Sequence, residues 1–311
     1  MYEKTTEPPQ GAAQCIPRPA AVTVGVVLRE GEESLASAGV ENPRRDAEQL
    51  LARCLGIELW RLFLERDRVL NPAQEAEFQL LLESRHRRRP LAYILGEAGF
   101  HDLVLAVDRR ALIPRPETEL LVEKALEFLA GKPGPEVLEI GCGSGAIALA
   151  LARQLPGAAI GASDVSRAAL ALARENASRL GLEGRIDFRE GDLFAPWFDR
   201  REKGVELIVS NPPYLTRKEL AAAEPEVRDF EPRSALDGGG DGLAVIRRLI
   251  AAAPGYLRPG GRLMIEIGAG QGAAVRELAE CGVEGLEFIE LAKDYCGRDR
   301  VAVLEKIDGQ Y

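Results

Sequence analysis

An α/β fold built on a parallel sheet is what this sequence predicts, and three observations predict it. From residue 137 onward, strand-like apolar runs alternate with helical stretches: 137–140, 146–154, 159–163, 168–180, 186–190 and 207–210. That is the order of βαβ units. The first run leads directly into a glycine turn, Gly141-Cys142-Gly143-Ser144-Gly145. The fourth, Leu207-Ile208-Val209, is followed at once by Asn211-Pro212-Pro213-Tyr214. Two prolines cannot donate to a ladder, and Pro212 pushes Asn211 out of the α region, so the chain leaves the sheet extended and stiff. Open α/β sheets place their ligands at that end of their strands.

The elements follow in order. Residues 1–20 run from Met1-Tyr2-Glu3-Lys4 into Pro- and Ala-rich sequence with no apolar signal core, and are expected to be a disordered leader. Residues 21–97 read as a helical bundle of four or five helices, expected to serve in substrate recognition. Asn42-Pro43 starts one helix, whose stripe of Leu50, Leu51, Cys54 and Leu55 stops at Gly56. Asn71-Pro72 starts another, carrying Phe78, Leu81 and Leu82. Arg85-His86-Arg87-Arg88-Arg89 reads as cations at a helix C-terminus facing water, ahead of a contact with a phosphate-rich partner.

Residues 98–113 alternate as a β-hairpin linker through Phe100, Leu103, Leu105 and Val107. A rigid turn, Ile113-Pro114-Arg115-Pro116-Glu117-Thr118-Glu119, then opens a helix through Leu129 and begins a domain expected to span 114–311. That domain closes with a strand at 262–267, a helix at 273–281 and an antiparallel pair of strands at 286–290 and 300–304. The long charged segment 216–241 is expected to be a lid that orders on a partner protein, with the Arg115-Pro116-Glu117 turn on the opposite rim. Glu266, between Ile265 and Ile267, reads as buried and paired, without a role.

Composition narrows the function classes. A net charge of -9 over 311 residues argues against a general nucleic-acid binder. Five scattered cysteines form no C-x-x-C pair, which fits a reducing cytosol and neither a disulfide framework nor a zinc site. His86 and His101, the two histidines, lie in unrelated contexts. The expectation is a soluble cytoplasmic protein without a metal and without a membrane span.

The glycine turn is ambiguous by itself. Gly141, Gly143 and Ala146 satisfy the dinucleotide fingerprint, so NAD and S-adenosylmethionine both remain open. Asp164, 19 residues after Gly145, could accept the ribose hydroxyls of either cofactor. Glu139 tilts the balance: an acidic side chain sits badly near a pyrophosphate but suits the cationic amino-acid end of S-adenosylmethionine. Asp192, after the third strand, reads either as a partner for an adenine amino group or as a plain loop carboxylate.

Together these features resemble class I S-adenosylmethionine-dependent methyltransferases acting on amide or exocyclic amino nitrogens. Tyr93-Ile94-Leu95-Gly96, Phe100, the 112–119 turn, Glu231-Pro232 with Ala235-Leu236, and Gly297-Arg298-Asp299-Arg300-Val301 sharpen the likeness. With them the chain, from about residue 22 onward, is similar to the peptide chain release factor glutamine methyltransferase family (PrmC, also called HemK). The resemblance implies a Rossmann-like, seven-stranded catalytic domain behind an N-terminal helical bundle. It implies N5-methylation of the glutamine in the Gly-Gly-Gln loop of class 1 release factors, with no membrane and no direct nucleic-acid partner. Carried over by position, Glu139, Gly141, Cys142, Gly143, Ser144, Gly145, Asp164, Asp192, Leu193 and Asn211 would hold the cofactor. Asn211, Pro212, Pro213 and Tyr214 would hold the substrate glutamine. Some members have tryptophan where Leu193 stands; leucine offers adenine only an apolar contact.

The chemistry expected of Asn-Pro-Pro-Tyr is specific. The Asn211 side-chain oxygen and the Pro212 carbonyl would accept the two hydrogens of a carboxamide, and Tyr214 would stack on its plane. A DNA adenine-N6 methyltransferase could use the same pocket, but no basic target-recognition domain is evident. A ribosomal-protein glutamine methyltransferase shares the same catalytic motif. An NAD oxidoreductase fits the glycine turn alone, and a non-catalytic module binding translation factors fits the helical segment alone.

Overall fold

Asparagine followed by proline opens two of the helices in the first half of the chain, and does so in two different ways. The computed structural model describes residues 22–201 and 203–307, so the leader expected at 1–20 lies outside the described residues. The chain divides into two units after Arg87. The first contains α1 (Val24–Ser37), α2 (Pro43–Leu55), the single turn α3 (Arg61–Leu64) and α4 (Pro72–His86). Asn71 closes a capping box with Gln74, whereas Asn42 makes no side-chain cap and α2 relies on Pro43 at its first position. Leu35, Leu50, Leu51 and Phe78 form the buried side.

The basic run at 85–89 faces water as expected at His86, Arg87 and Arg89, but not throughout. Arg85 is buried and donates to Asp46 at 2.7 Å, and Arg87 pairs with Glu83 on its own helix. Arg88, in the second unit, reaches Glu226 at 2.6 Å and Glu224 at 2.9 Å.

The second unit opens with α5 (Leu91–Leu95) and a hairpin of β1 (Glu97–Phe100) and β2 (Leu103–Ala106), followed by α6 (Pro116–Leu129). Then come β3 (Glu136–Ile140), α7 (Ala146–Gln154), β4 (Ala159–Asp164), α8 (Arg167–Arg179), β5 (Ile186–Glu190) and β6 (Val205–Ser210). The expected long loop at 216–241 carries two short helices, α9 (Arg217–Ala222) and α10 (Pro225–Phe230); a Thr216–Glu219 capping box starts the first. The chain continues through α11 (Ala244–Ala252), β7 (Leu257–Glu266), α12 (Gly272–Gly282), β8 (Leu286–Lys293) and β9 (Asp299–Lys306).

Seven strands make one sheet in the order β5-β4-β3-β6-β7-β9-β8. Pairing is parallel from β5 to β7, and β9 runs antiparallel to both of its neighbours. The expected antiparallel pair is present at one edge, with the later strand inside. All six residues of β6 are buried, as a strand covered on both faces requires.

Strand order reverses between β3 and β6, since β4 and β5 lie on one side and β7 on the other. Glu139 pairs with Val209 in that register, so the turn after β3 and the segment after β6 leave the sheet at the same level. The Ser210 hydroxyl donates to the Ile140 carbonyl at 2.7 Å and holds the two exits together.

A large aromatic supports this region from one face. Trp197 is fully buried, donates through Nε1 to Ser163 Oγ at 3.0 Å, and has the Arg189 guanidinium 4.4 Å from its ring centroid. It packs on β4 where that strand has Gly161: a Cβ there would stand 2.5 Å from Trp197 Cη2. We expect Gly161→Ala to destabilise the second unit by about 1–3 kcal/mol through overpacking. A urea midpoint equal to that of the unchanged protein would show that the indole can give way.

Candidate active site

The glycine turn owes its shape to residues whose backbone few side chains tolerate. Gly141, Gly143 and Gly145 all have positive φ, at 77°, 54° and 82°. Gly145 is also the N-cap of α7, where a Cβ would lie 3.1 Å from Ala173 Cβ of α8. The turn is anchored from β4, because the Gly141 and Cys142 amides both donate to the Ser163 carbonyl, at 2.8 and 2.9 Å. Asn176 of α8, buried, holds it from the other side. Its amide bonds both backbone groups of Ala106 in the hairpin and donates to the Ser144 carbonyl at 3.1 Å. Nothing in the pattern of α8 marks that clamp beyond an asparagine on an otherwise apolar face.

The turn forms one wall of a cavity at the carboxyl ends of β3, β4 and β6. Glu139, residues 141–144, Asp164, Asp192, Leu193, Asn211, Pro212 and Pro213 all line it. All but two of the sequence-predicted site positions therefore come together; Gly145 stands just behind, and Tyr214 is also off the wall. Arg115, Thr118, Pro232 and Ala235 are part of the lining too.

Two of the wall carboxylates are already engaged by backbone. Glu139 is 1% exposed and accepts the Ala148 N–H at 2.8 Å. It thereby satisfies one of the free amides at the start of α7, a helix whose N-cap glycine has no side chain to do so. Burial raises its carboxyl to about 8, against the pull of that N–H and helped by the charge of Asp164. Asp164 accepts the Gly143 N–H and the Ser166 N–H, both at 2.8 Å, and burial raises its carboxyl too. Among the described residues neither carboxylate is paired with a cation. Two sheltered acids without a counter-ion, on one wall, suit a ligand that brings positive charge.

The far end of the cavity differs. Asp192 is exposed and pairs with Arg248 of α11, so it is not a free carboxylate. Leu193 has φ 49°, an uncommon conformation for leucine that holds it on the cavity wall. Cys142 is buried and its thiol is pushed well up by burial, which makes it an inert part of the wall.

Asn211 directs its amide by contact with α6. Its Nδ2 donates to Thr118 Oγ1 at 3.1 Å, and Thr118 Oγ1 donates to Glu266 Oε2 at 2.6 Å. The Tyr214 hydroxyl donates to the other carboxylate oxygen, at 3.2 Å. Its ring lies among partly buried residues packed on the apolar layer containing Ile246 and Ile265. The sequence alone gives Glu266 no role and does not single out Thr118. A signal for Glu266 is nonetheless there: a carboxylate inside an isoleucine-flanked run, at the end of a strand adjacent to β6.

The segment beyond β6 closes over the site. Arg115, preceding α6, donates to both oxygens of buried Glu231 at 2.6 Å, just after α10. Arg88 holds Glu224 and Glu226 at the start of α10. The lid expected here is thus tied down at two points within its own unit.

Comparison with known proteins gives this site a context. Residues 27–96 match the family model of the PrmC N-terminal domain, and residues 116–228 match that of the methyltransferase small domain. A release factor glutamine methyltransferase of Geobacter sulfurreducens is 46% identical over 284 residues, covering 91% of this chain and 97% of that protein. One from Cereibacter sphaeroides is 44% identical over 274 residues, covering 88% and 95%. The solved hMettl16 catalytic domain, in complex with a MAT2A 3'UTR hairpin, gives a TM-score of 0.51 at 17% identity, over 66% of this chain and 76% of that one. That last likeness is one of fold alone. The relatives match over nearly their full length and through both the helical and the sheet-bearing segments, and on that ground this chain belongs to the release factor glutamine methyltransferase family.

Proposed function

We infer that this chain transfers a methyl group from S-adenosylmethionine to the side-chain amide nitrogen (N5) of a glutamine in peptide chain release factors. We take that glutamine to be the one in the Gly-Gly-Gln loop of class 1 factors. The observation that carries the reading is a pair of oxygens, Asn211 Oδ1 and the Pro212 carbonyl, on residues that share a cavity with the glycine turn. Among the described residues neither oxygen receives a donor. A carboxamide N–H₂ group offers two hydrogens to match them.

The wall fits the cofactor. Glu139 would take the cationic amino-acid end, and Asp164 the ribose hydroxyls, through lone pairs that its two backbone bonds leave over. Residues 141–145 would let the backbone lie close to the methionine part. Leu193 would cover one face of adenine, and Asp192 would reach its amino group while shared with Arg248. When bound, the cofactor supplies a methyl group activated by a sulfonium.

The rest is done by Asn211 and Pro212. An amide nitrogen is a weak nucleophile because its lone pair is delocalised into the carbonyl. Two acceptors fix its hydrogens and so its direction of approach. As the nitrogen takes on positive charge, both hydrogen bonds become charge-assisted and strengthen, which favours the transition state over the bound amide. No general base is required, since the product nitrogen loses its proton readily to water. Arg115 and Glu231, by holding the segment after α10, keep the mouth of the cavity narrow.

Incubation with labelled S-adenosylmethionine and a release factor should place the label on the acceptor glutamine, and a Gln→Ala factor should stay unlabelled. Asn211→Ala should lower turnover by roughly 10²–10³, as expected for loss of one transition-state hydrogen bond, with cofactor affinity little changed. Turnover near that of the unchanged protein would remove Asn211 from the chemistry.

A second expectation concerns pH. With its carboxyl raised to about 8, Glu139 carries a proton near neutrality. A bound cation favours the ionised form, so cofactor binding should release a proton below pH 8, and affinity should rise with pH toward that value. Calorimetry at pH 7 in buffers of different ionisation enthalpy reads this directly. Identical heats, or a pH dependence retained by Glu139→Gln, would contradict it.

A further inference from the structure

We propose that Thr118 and Glu266 form a positioning relay that decides which end of the Asn211 amide faces the substrate. The inference rests on the reading that Asn211 receives the glutamine amide, and it adds two residues that the chemistry above does not use.

Ionised, the form that nearby Arg300 favours, Glu266 only accepts: the Thr118 hydroxyl donates to one oxygen at 2.6 Å and the Tyr214 hydroxyl to the other at 3.2 Å. A threonine hydroxyl has a single hydrogen, and Thr118 gives it to Glu266. What Thr118 then shows to Asn211, 3.1 Å away, is a lone pair. The amide must answer with its N–H₂ group, which leaves Oδ1 as the end available to a ligand. Were the amide reversed, N–H₂ would meet the N–H₂ of the substrate glutamine, donor against donor.

The fold builds this relay on rigid parts. Thr118 lies in the first turn of α6, is 4% exposed and still lines the cavity. Glu266 is the last residue of β7 and 1% exposed. The β6–β7 register pairs Ser210 with Ile265, so Asn211 and Glu266 are the next positions along adjacent strands. Burying a carboxylate is costly unless its oxygens are satisfied, and here the two hydroxyls that satisfy it are those beside Asn211 and on Tyr214.

The test is a double-mutant cycle on single-turnover methyl transfer to a release factor, with cofactor affinity measured by calorimetry for every variant. Thr118→Val keeps the shape and removes the hydroxyl. It should slow transfer about tenfold, the scale of a misdirected contact, while cofactor affinity stays within about twofold. Thr118→Ser should restore the rate. In the Asn211→Ala background Thr118→Val should have no further effect, because the relay has nothing left to orient. Full activity of Thr118→Val, a Ser variant as slow as the Val variant, or losses that multiply in the double mutant would each overturn the relay. Equal rates for the unchanged protein and Asn211→Ala would instead overturn the reading beneath it. If Thr118→Val fails to bind cofactor, Glu266→Gln replaces it in the same cycle. Its amide can donate as well as accept and so frees the Thr118 hydrogen to turn; a multiplicative loss there is equally fatal.

Discussion

The parallel pairing of β3 with β6 is the constraint on which the site depends. Those two strands are neighbours in space though two strands separate them in sequence, and their register brings the glycine turn and Asn211 out at one level. Neither segment could shift by a residue without breaking ladder bonds and turning buried side chains to the wrong face. Ser210 adds a direct bond to Ile140 at the point where the strands part. The glycine turn and the Asn211 segment are thus set against each other by the backbone of the sheet.

Carboxylates withdrawn from water do the finer placement. Glu139 ties β3 to the start of α7, Asp164 ties β4 to the glycine turn, and Glu266 ties β7 to α6 and to Tyr214. Each joins elements that the sheet ladder does not connect. Burial raises all three, and the N–H and O–H groups that they accept offset part of that penalty.

Much of this is legible in the residues. The strand-turn-helix pattern locates β3, α7 and β4 closely, and Asn-Pro-Pro-Tyr soon after the apolar run Leu207-Ile208-Val209 locates the second loop. What is not legible are relations set by tertiary approach. Nothing local says that Glu139 reaches Ala148, that Asp192 meets Arg248, or that Arg85 is buried against Asp46. Charge runs look solvated because isolated segments cannot show which carboxylate the fold will bring near. The segment at 216–241 looks like one long loop because its two helices are only six residues each, started by a capping box and a proline rather than by any apolar period.

The placing of β9 has a consequence for how the molecule is made. It is the last strand of the sheet in sequence, yet in space it stands between β7 and β8. While a nascent chain lacks it, one edge of β7 has its hydrogen-bonding groups unmet, and β8 has no strand to pair with. Glu266, at the tip of β7, shares that border through its pairing with Val301. The glycine turn and Asn211 are therefore both synthesised before the strand that closes the sheet beside them.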